Sequence, residues 1–258
     1  MLHALAPLPR EVARLEFLDR PDMPPAELAE SLADIARLNR LGPTRSLLAH
    51  AAPFFERFER EGNSKPLRVL DVGTGAADIP AALARWARAR GWAVSVLALD
   101  VRPEVLACAV PAAREADEVR LVAGNALEPP VRPKGVDLTL CSLTLHHLPE
   151  DAVVALFRLM AEVSRLGFVV SDLRRSRLAY SAAWLATRLI SRNRLTRHDG
   201  PLSVRRAYSE AELRRLAAAA GLREVRWYRA PCFRLIGVYS SAGGEGGPRA
   251  SRSGHVHG

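Results

Sequence analysis

The sequence predicts an α/β fold: a doubly wound, mostly parallel seven-stranded sheet with a C-terminal antiparallel strand pair, N-terminal helices and a helical lid insertion. Three observations predict it. Between residues 67 and 171, short apolar runs alternate with amphipathic stretches of helix length, the pattern of βα units wound onto one sheet. The first run ends in glycines that open a helix, where an α/β sheet brings its backbone close to a ligand. Past residue 225, two apolar runs follow one another with no helix between them.

The elements follow in order. Residues 24–55 read as two helices. Pro24 and Pro25 open the first, whose Leu28, Leu32, Ile35, Ala36 and Leu38 recur near the helical period. Gly42 and Pro43 break it, and a second helix runs from Thr44 to near Arg60. Strands are expected at 67–72, 93–99, 119–123, 136–142 and 168–171, with helices at 79–90, 103–113 and 151–166. Residues 176–191 are amphipathic and carry aromatics, and 192–208 read as a polar loop. Ser209 with Glu212 fits a capping box for a helix ending near Gly221, and 225–228 and 233–239 read as the last strands.

Composition narrows the class. The 258 residues are 48% hydrophobic and 25% charged, which suits a packed core and excludes a disordered chain. No run of 18 apolar residues occurs, so no membrane span is expected. Residues 1–10 lack a basic start and an apolar centre, so no signal peptide is read there. Cys108, Cys141 and Cys232 are far apart in apolar stretches; buried thiols in a reducing cytoplasm are expected, and no metal site. The net charge of +9 comes almost wholly from Arg, since Lys occurs only at Lys65 and Lys134. The Arg residues are spread along helices without aromatic interleaving, which reads as solvated faces rather than a nucleic-acid groove.

The strongest local signal is the run Val69, Leu70, Asp71, Val72, Gly73, Thr74, Gly75, Ala76, Ala77, Asp78. A dinucleotide fingerprint would have its third glycine where Asp78 stands. An acid at a helix entrance repels a pyrophosphate and suits a ligand bearing an amino group. Asp100 ends the second strand, where a carboxylate can accept hydrogen bonds from both hydroxyls of a ribose. Asn125, after the third strand, offers a donor and an acceptor to an adenine edge.

Taken together, VLDVGTGAADIP, LALDV, GNALEPP and VDLTLCSLTLHHLPED resemble, in order and separation, the motifs of class I S-adenosylmethionine-dependent methyltransferases. The likeness covers residues 67–172 and is greatest to the methyltransferases of ubiquinone and menaquinone biosynthesis and to those acting on phenolic or polyketide products. It implies Asp71, Gly73 and Gly75 around the methionine part of S-adenosylmethionine, Asp100 on the ribose, and Asn125 with Ala126 beside the adenine. The family often has Asp at position 125; Asn keeps the acceptor and adds a donor. Thr74, Asp78, Val101 and Ser142 complete the expected cofactor set.

Methyl transfer from a sulfonium is an in-line displacement, and a phenol of pKa ~10 benefits from a base. His146 and His147 follow the fourth strand at the sheet edge where ligands bind. His198 and Asp199 lie in the expected polar loop, among Arg197, Gly200 and Pro201, and read as a base with its orienting acid. Asp172 borders the acceptor cavity by resemblance, and Tyr180, Trp184 and Tyr208 are candidates to line an apolar acceptor pocket. The organisation expected is an N-terminal helical cap (1–62), a Rossmann-like cofactor-binding core (63–175), a lid insertion (176–208), a C-terminal helix and strands completing the core (209–240) and a disordered tail (241–258). The function expected is methylation of a small aromatic hydroxyl compound in the cytoplasm. The alternatives are an RNA or protein methyltransferase and a non-catalytic adenosylmethionine-binding protein. The oligomeric state is left open, a homodimer among the options.

Overall fold

The apolar runs pair into one sheet. In chain order its strands are β1 (Leu67–Val72), β2 (Val94–Asp100), β3 (Val119–Ala123), β4 (Val136–Ser142), β5 (Ser164–Leu173), β6 (Arg226–Ala230) and β7 (Arg234–Ser240). They lie in the order β3-β2-β1-β4-β5-β7-β6. The first five are parallel, β7 is antiparallel to β5, and β6 is antiparallel to β7. The computed structural model describes residues 8–241, so the expected tail from 242 onward, with His255 and His257, lies outside the described residues.

The helices are α1 (Pro25–Arg40), α2 (Pro43–Arg60), α3 (Asp78–Arg88), α4 (Pro103–Arg114), α5 (Glu150–Val163), α6 (Arg177–Ile190), α7 (Arg194–Arg206) and α8 (Glu210–Ala219). Successive residues of a strand point to opposite faces. Val69, Leu140 and Val169 therefore pack with α2 and α3, while Leu70, Cys141 and Val170 pack with α5 and α8. The expected capping box forms at α8: Ser209 Oγ accepts from the Glu212 N–H (3.3 Å), and Glu212 Oε2 accepts from the Ser209 N–H (2.7 Å). Among the described residues no helix is long and apolar enough to cross a membrane.

Two expectations are corrected. The fifth helix ends at Val163, and Ser164 already belongs to β5. Met160, Val163 and Leu166 keep a helical spacing, but Ser164 pairs with Val136 of β4, and its hydroxyl lies 2.6 Å from that of Thr139.

Residues 192–208 are mostly helix, not loop, because α7 covers 194–206. Asn193 caps it, accepting from the N–H groups of Leu195 and Thr196. Its buried face mixes Leu195, Leu202 and Val204 with Thr196, Asp199, Ser203 and Arg206. Those polar groups are hydrogen-bonded inside the protein, so the helix buries a face that carries no apolar period. Thr196 Oγ1 donates to Asp34 Oδ2 of α1 (2.8 Å), and Ser203 Oγ donates to Glu16 Oε2 (2.8 Å). Gly200 lets α7 approach α6, since a Cβ there would overlap Thr187.

Candidate active site

Sheet order reverses at β1, whose neighbours are β2 and β4; ligands of open α/β sheets bind at such a point. A cavity of about 600 Å³ opens there, within the size range of small-molecule sites. At one end, β1 runs into the turn at Gly73, which has a φ of +67°, and a Cβ there would overlap Thr144. The Gly75 N–H donates to Asp100 Oδ2 (3.0 Å), which ties the turn to the end of β2. The Arg102 N–H donates to Asp100 Oδ1 (3.1 Å). Asn125 Oδ1 accepts from the Leu127 N–H (3.0 Å), fixing the turn after β3.

The carboxylates at this end lean towards the neutral form. Burial raises Asp71, Asp78 and Asp100 alike; Asp71, with Asp78 and Asp100 adding to the effect, reaches about 7. Asp71 Oδ1 has no hydrogen-bond partner. A positively charged ligand would relieve this crowding. Nearby, Asp78 Oδ2 accepts from Asn39 Nδ2 (3.0 Å), and Asn39 Oδ1 accepts from Arg234 Nη2 (2.8 Å). Arg234 lines the cavity at 4% exposure, yet its Nε and Nη1 have no partner. Burial pulls its guanidinium down to about 10. This end thus presents one unpartnered carboxylate oxygen, of Asp71, and the unpartnered Nε and Nη1 of Arg234, which fits the ammonium and carboxylate of an amino acid.

Another part of the lining is built on the 3₁₀ turn Leu145–His147 after β4. Asp172, at the end of β5, accepts from the Leu145 N–H (2.7 Å) and lies 2.7 Å from His146 Nδ1. His146 is thereby locked, with Nε2 turned to Glu16 Oε1 at 3.8 Å. The His147 ring lies 4.2 Å from that of His146, and its Nδ1 is 2.8 Å from Asp19 Oδ1. Burial alone would lower His147, but Glu16, Asp19 and Asp172 outweigh it and push the imidazole up to about 9. Glu16, His146 and His147 bring one donor atom each within 4.8 Å of one another, a spacing open to a cation. The Arg206 guanidinium, 3.6 Å from Glu16 Oε1, already supplies positive charge there. We read the cluster as an ion-pair network.

Residues 69–167 match the family described as a methyltransferase domain. The fold is that of the class I S-adenosylmethionine-dependent methyltransferases. The fold is similar to that of human N-acetylserotonin methyltransferase in complex with S-adenosylmethionine (14% identity, 84% of this chain and 56% of that one, TM-score 0.59). It is also similar to a magnesium protoporphyrin IX methyltransferase from Synechocystis PCC 6803 with bound S-adenosylhomocysteine (17% identity, 78% and 84%, TM-score 0.51). A third likeness is to an S-adenosylmethionine-dependent methyltransferase from Aquifex aeolicus (19% identity, 77% and 96%, TM-score 0.50). At these identities the likeness is one of fold. The chain spans about half the length of the human enzyme. A comparison with curated protein sequences finds no match.

The structure brings the residues expected to hold the cofactor together. Asp71, Gly73, Thr74, Gly75, Asp78, Asp100, Val101, Asn125, Ala126 and Ser142 all line the cavity, and so do His146 and His147. The other predicted residues lie off it. His198 stacks on Phe17 with ring centroids 4.1 Å apart. Asp199 lies 2.7 Å from His198 Nδ1 and accepts from the N–H groups of Phe17 (2.8 Å) and Leu18 (2.9 Å), so it anchors the N-terminal segment. Tyr208 is buried and donates to the Leu148 carbonyl (2.8 Å), with the Arg10 guanidinium over its ring. Trp184 is 45% exposed and Tyr180 is half-buried, because α6 turns Ala179, Ala182, Ala183 and Ala186 to the cavity instead. Asp172 stands behind His146 rather than in the wall.

Sequence reasoning missed Glu16, Asp19, Asn39 and Arg234. Each acts through a partner far away in the chain, and none sits in a recognisable motif.

Proposed function

We propose that the chain moves the methyl group of S-adenosylmethionine to the hydroxyl of a small aromatic compound, a phenol, hydroquinone or polyketide, in a biosynthetic reaction. One observation carries this reading. A single cavity is lined by the glycine turn and Asp100, by His146 and His147, and by apolar groups such as Ile35, Leu38, Ala183 and Phe233. Asp100 holds the ribose, Asn125 with Ala126 the adenine, Asp71 and Asp78 the ammonium, and Arg234 the methionine carboxylate. Bound there, the cofactor supplies a sulfonium methyl group that passes to the acceptor oxygen as the carbon–sulfur bond breaks.

The protein's own work is placement and proton removal. The walls from α1 and α6 orient a flat apolar ring. The neutral His147 imidazole takes the hydroxyl proton as the oxygen becomes nucleophilic. Raised to about 9, it is a base well matched to a phenol of pKa ~10. Helices α6 and α7, with α1 and the N-terminal segment, form a lid that excludes water.

The test is methyl transfer from isotope-labelled cofactor to a panel of hydroxylated aromatics, the corresponding methyl ethers, an RNA oligomer and a protein lysate. The expected outcome is label on the oxygen of a free phenol and none on the ethers. Label on RNA or protein alone would establish the alternative reading, and cofactor binding without transfer to anything would favour a non-catalytic role.

A further inference from the structure

We propose that Glu16 is a positioning residue of the transfer reaction, carried into the site by the N-terminal segment to hold the His147 imidazole ready for the acceptor hydroxyl. This rests on the reading of His147 given above. Glu16 is 2% exposed and lines the cavity. Its Oε2 is taken by the Ser203 hydroxyl, but Oε1 has no hydrogen-bond partner. Arg206 Nε lies 3.6 Å and His146 Nε2 3.8 Å from that oxygen, and a His147 ring nitrogen lies within 4.8 Å of a Glu16 carboxylate oxygen, close enough for its charge to act on both imidazoles.

The segment that brings Glu16 is seated largely by polar contacts. The Glu11 N–H donates to the Arg205 carbonyl (3.0 Å), and Arg10 Nε donates to the Arg206 carbonyl (2.8 Å). The Phe17 and Leu18 N–H groups reach Asp199, and the Arg102 guanidinium donates to the Leu18 carbonyl. Arg102 also donates its N–H to Asp100, two residues before it, so one residue links the segment to Asp100. Val12 and Leu15 are exposed. Such a segment can lift without opening the core.

The charged groups facing His147 come from four elements. Glu16 and Asp19 belong to the N-terminal segment, and His146 to its own turn. Asp172 is at the end of β5. Arg206 of α7 donates to the His147 carbonyl (3.3 Å). Asp172 is committed to His146 and the backbone around it. Glu16 and Asp19 are therefore the carboxylates that leave if the segment lifts, and the imidazole then returns towards an ordinary histidine. Seating the segment closes the cavity and strengthens the proton acceptor in one step.

The experiment is a histidine ring titration by NMR on the full chain with S-adenosylhomocysteine bound and no acceptor. The wild type should show the His147 midpoint near 9, and Glu16→Gln should lower it by roughly one unit or more. Glu16→Asp, which keeps the charge, should recover most of that shift, and the pH–rate midpoint on a phenolic acceptor should move with it. Asp199→Asn provides a second variant if Glu16→Gln does not fold. It loosens the segment, as hydrogen exchange at Phe17 and Leu18 would show, and should shift the midpoint the same way. A His147 midpoint unmoved in folded Glu16→Gln, or unmoved with the segment loosened, overturns the proposal. The titration needs no acceptor, so failure to methylate any phenol would count against the proposed function alone.

Discussion

Replacing His147 with alanine should lower turnover on a phenolic acceptor by ~10²–10⁴-fold, the usual worth of a positioned proton acceptor. Affinity for S-adenosylmethionine should stay near that of the wild type, because His147 is assigned to the acceptor and not to the cofactor. The pH profile gives the effect its sign. With the imidazole pushed up to about 9, only ~1% of it is neutral at pH 7. The wild-type rate should rise close to tenfold per pH unit and level off near 9. The His147→Ala variant should lose that rise. A profile levelling near 6.5 would mean that the carboxylates around His147 do not act on it. Stability moves the opposite way. A raised folded-state value stabilises the fold fully below the unfolded histidine value of ~6.5, and that contribution is lost as pH climbs through about 9. Rate measurements above neutrality therefore need a parallel check that the protein stays folded.

The second large effect is expected at the cofactor end. Arg234→Met should weaken S-adenosylmethionine by ~10–100-fold, the range for a hydrogen bond to a charged group. It should leave 5′-methylthioadenosine, which has no carboxylate, nearly unaffected. Asp100→Ala should weaken both ligands alike, by ~1–3 kcal/mol, since the ribose is common to them. Calorimetric titration of the two variants with the two ligands separates these assignments. Equal losses on both ligands for Arg234→Met would place Arg234 away from the carboxylate. Arg234→Met should also cost stability, because buried Asp172 and Asp78 lose a neighbouring positive charge, so the titrations are made on variants shown to be folded.

What the sequence made legible follows from where each signal is stored. The sheet and the glycine turn are written locally: β1 is an unbroken apolar run, and Gly73 and Asp78 stand at fixed offsets from it. The residues expected to hold the cofactor therefore line one cavity, while Asn39 and Arg234 beside them were not legible. The rest of the cavity lining is held by polar contacts between distant segments. Glu16 meets Ser203, Asp199 meets Phe17, and Asn39 meets Arg234. Apolar periodicity cannot show a helix such as α7, whose buried face includes Thr196, Asp199, Ser203 and Arg206, and its Gly200 and Pro201 read as a turn. The His198–Asp199 pair drew attention as neighbours in sequence. In the structure they touch each other while fastening the N-terminal segment. The aromatics of α6 misled in a similar way, since periodicity marks a buried face but not which buried face borders a cavity.

The most direct test of the account is a crystal structure of the protein with S-adenosylhomocysteine and a phenolic acceptor. The account predicts the ribose on Asp100, the amino-acid carboxylate on Arg234, and the acceptor oxygen between the cofactor sulfur and the His147 ring. An acceptor bound away from His147, or a cofactor carboxylate turned away from Arg234, would contradict it.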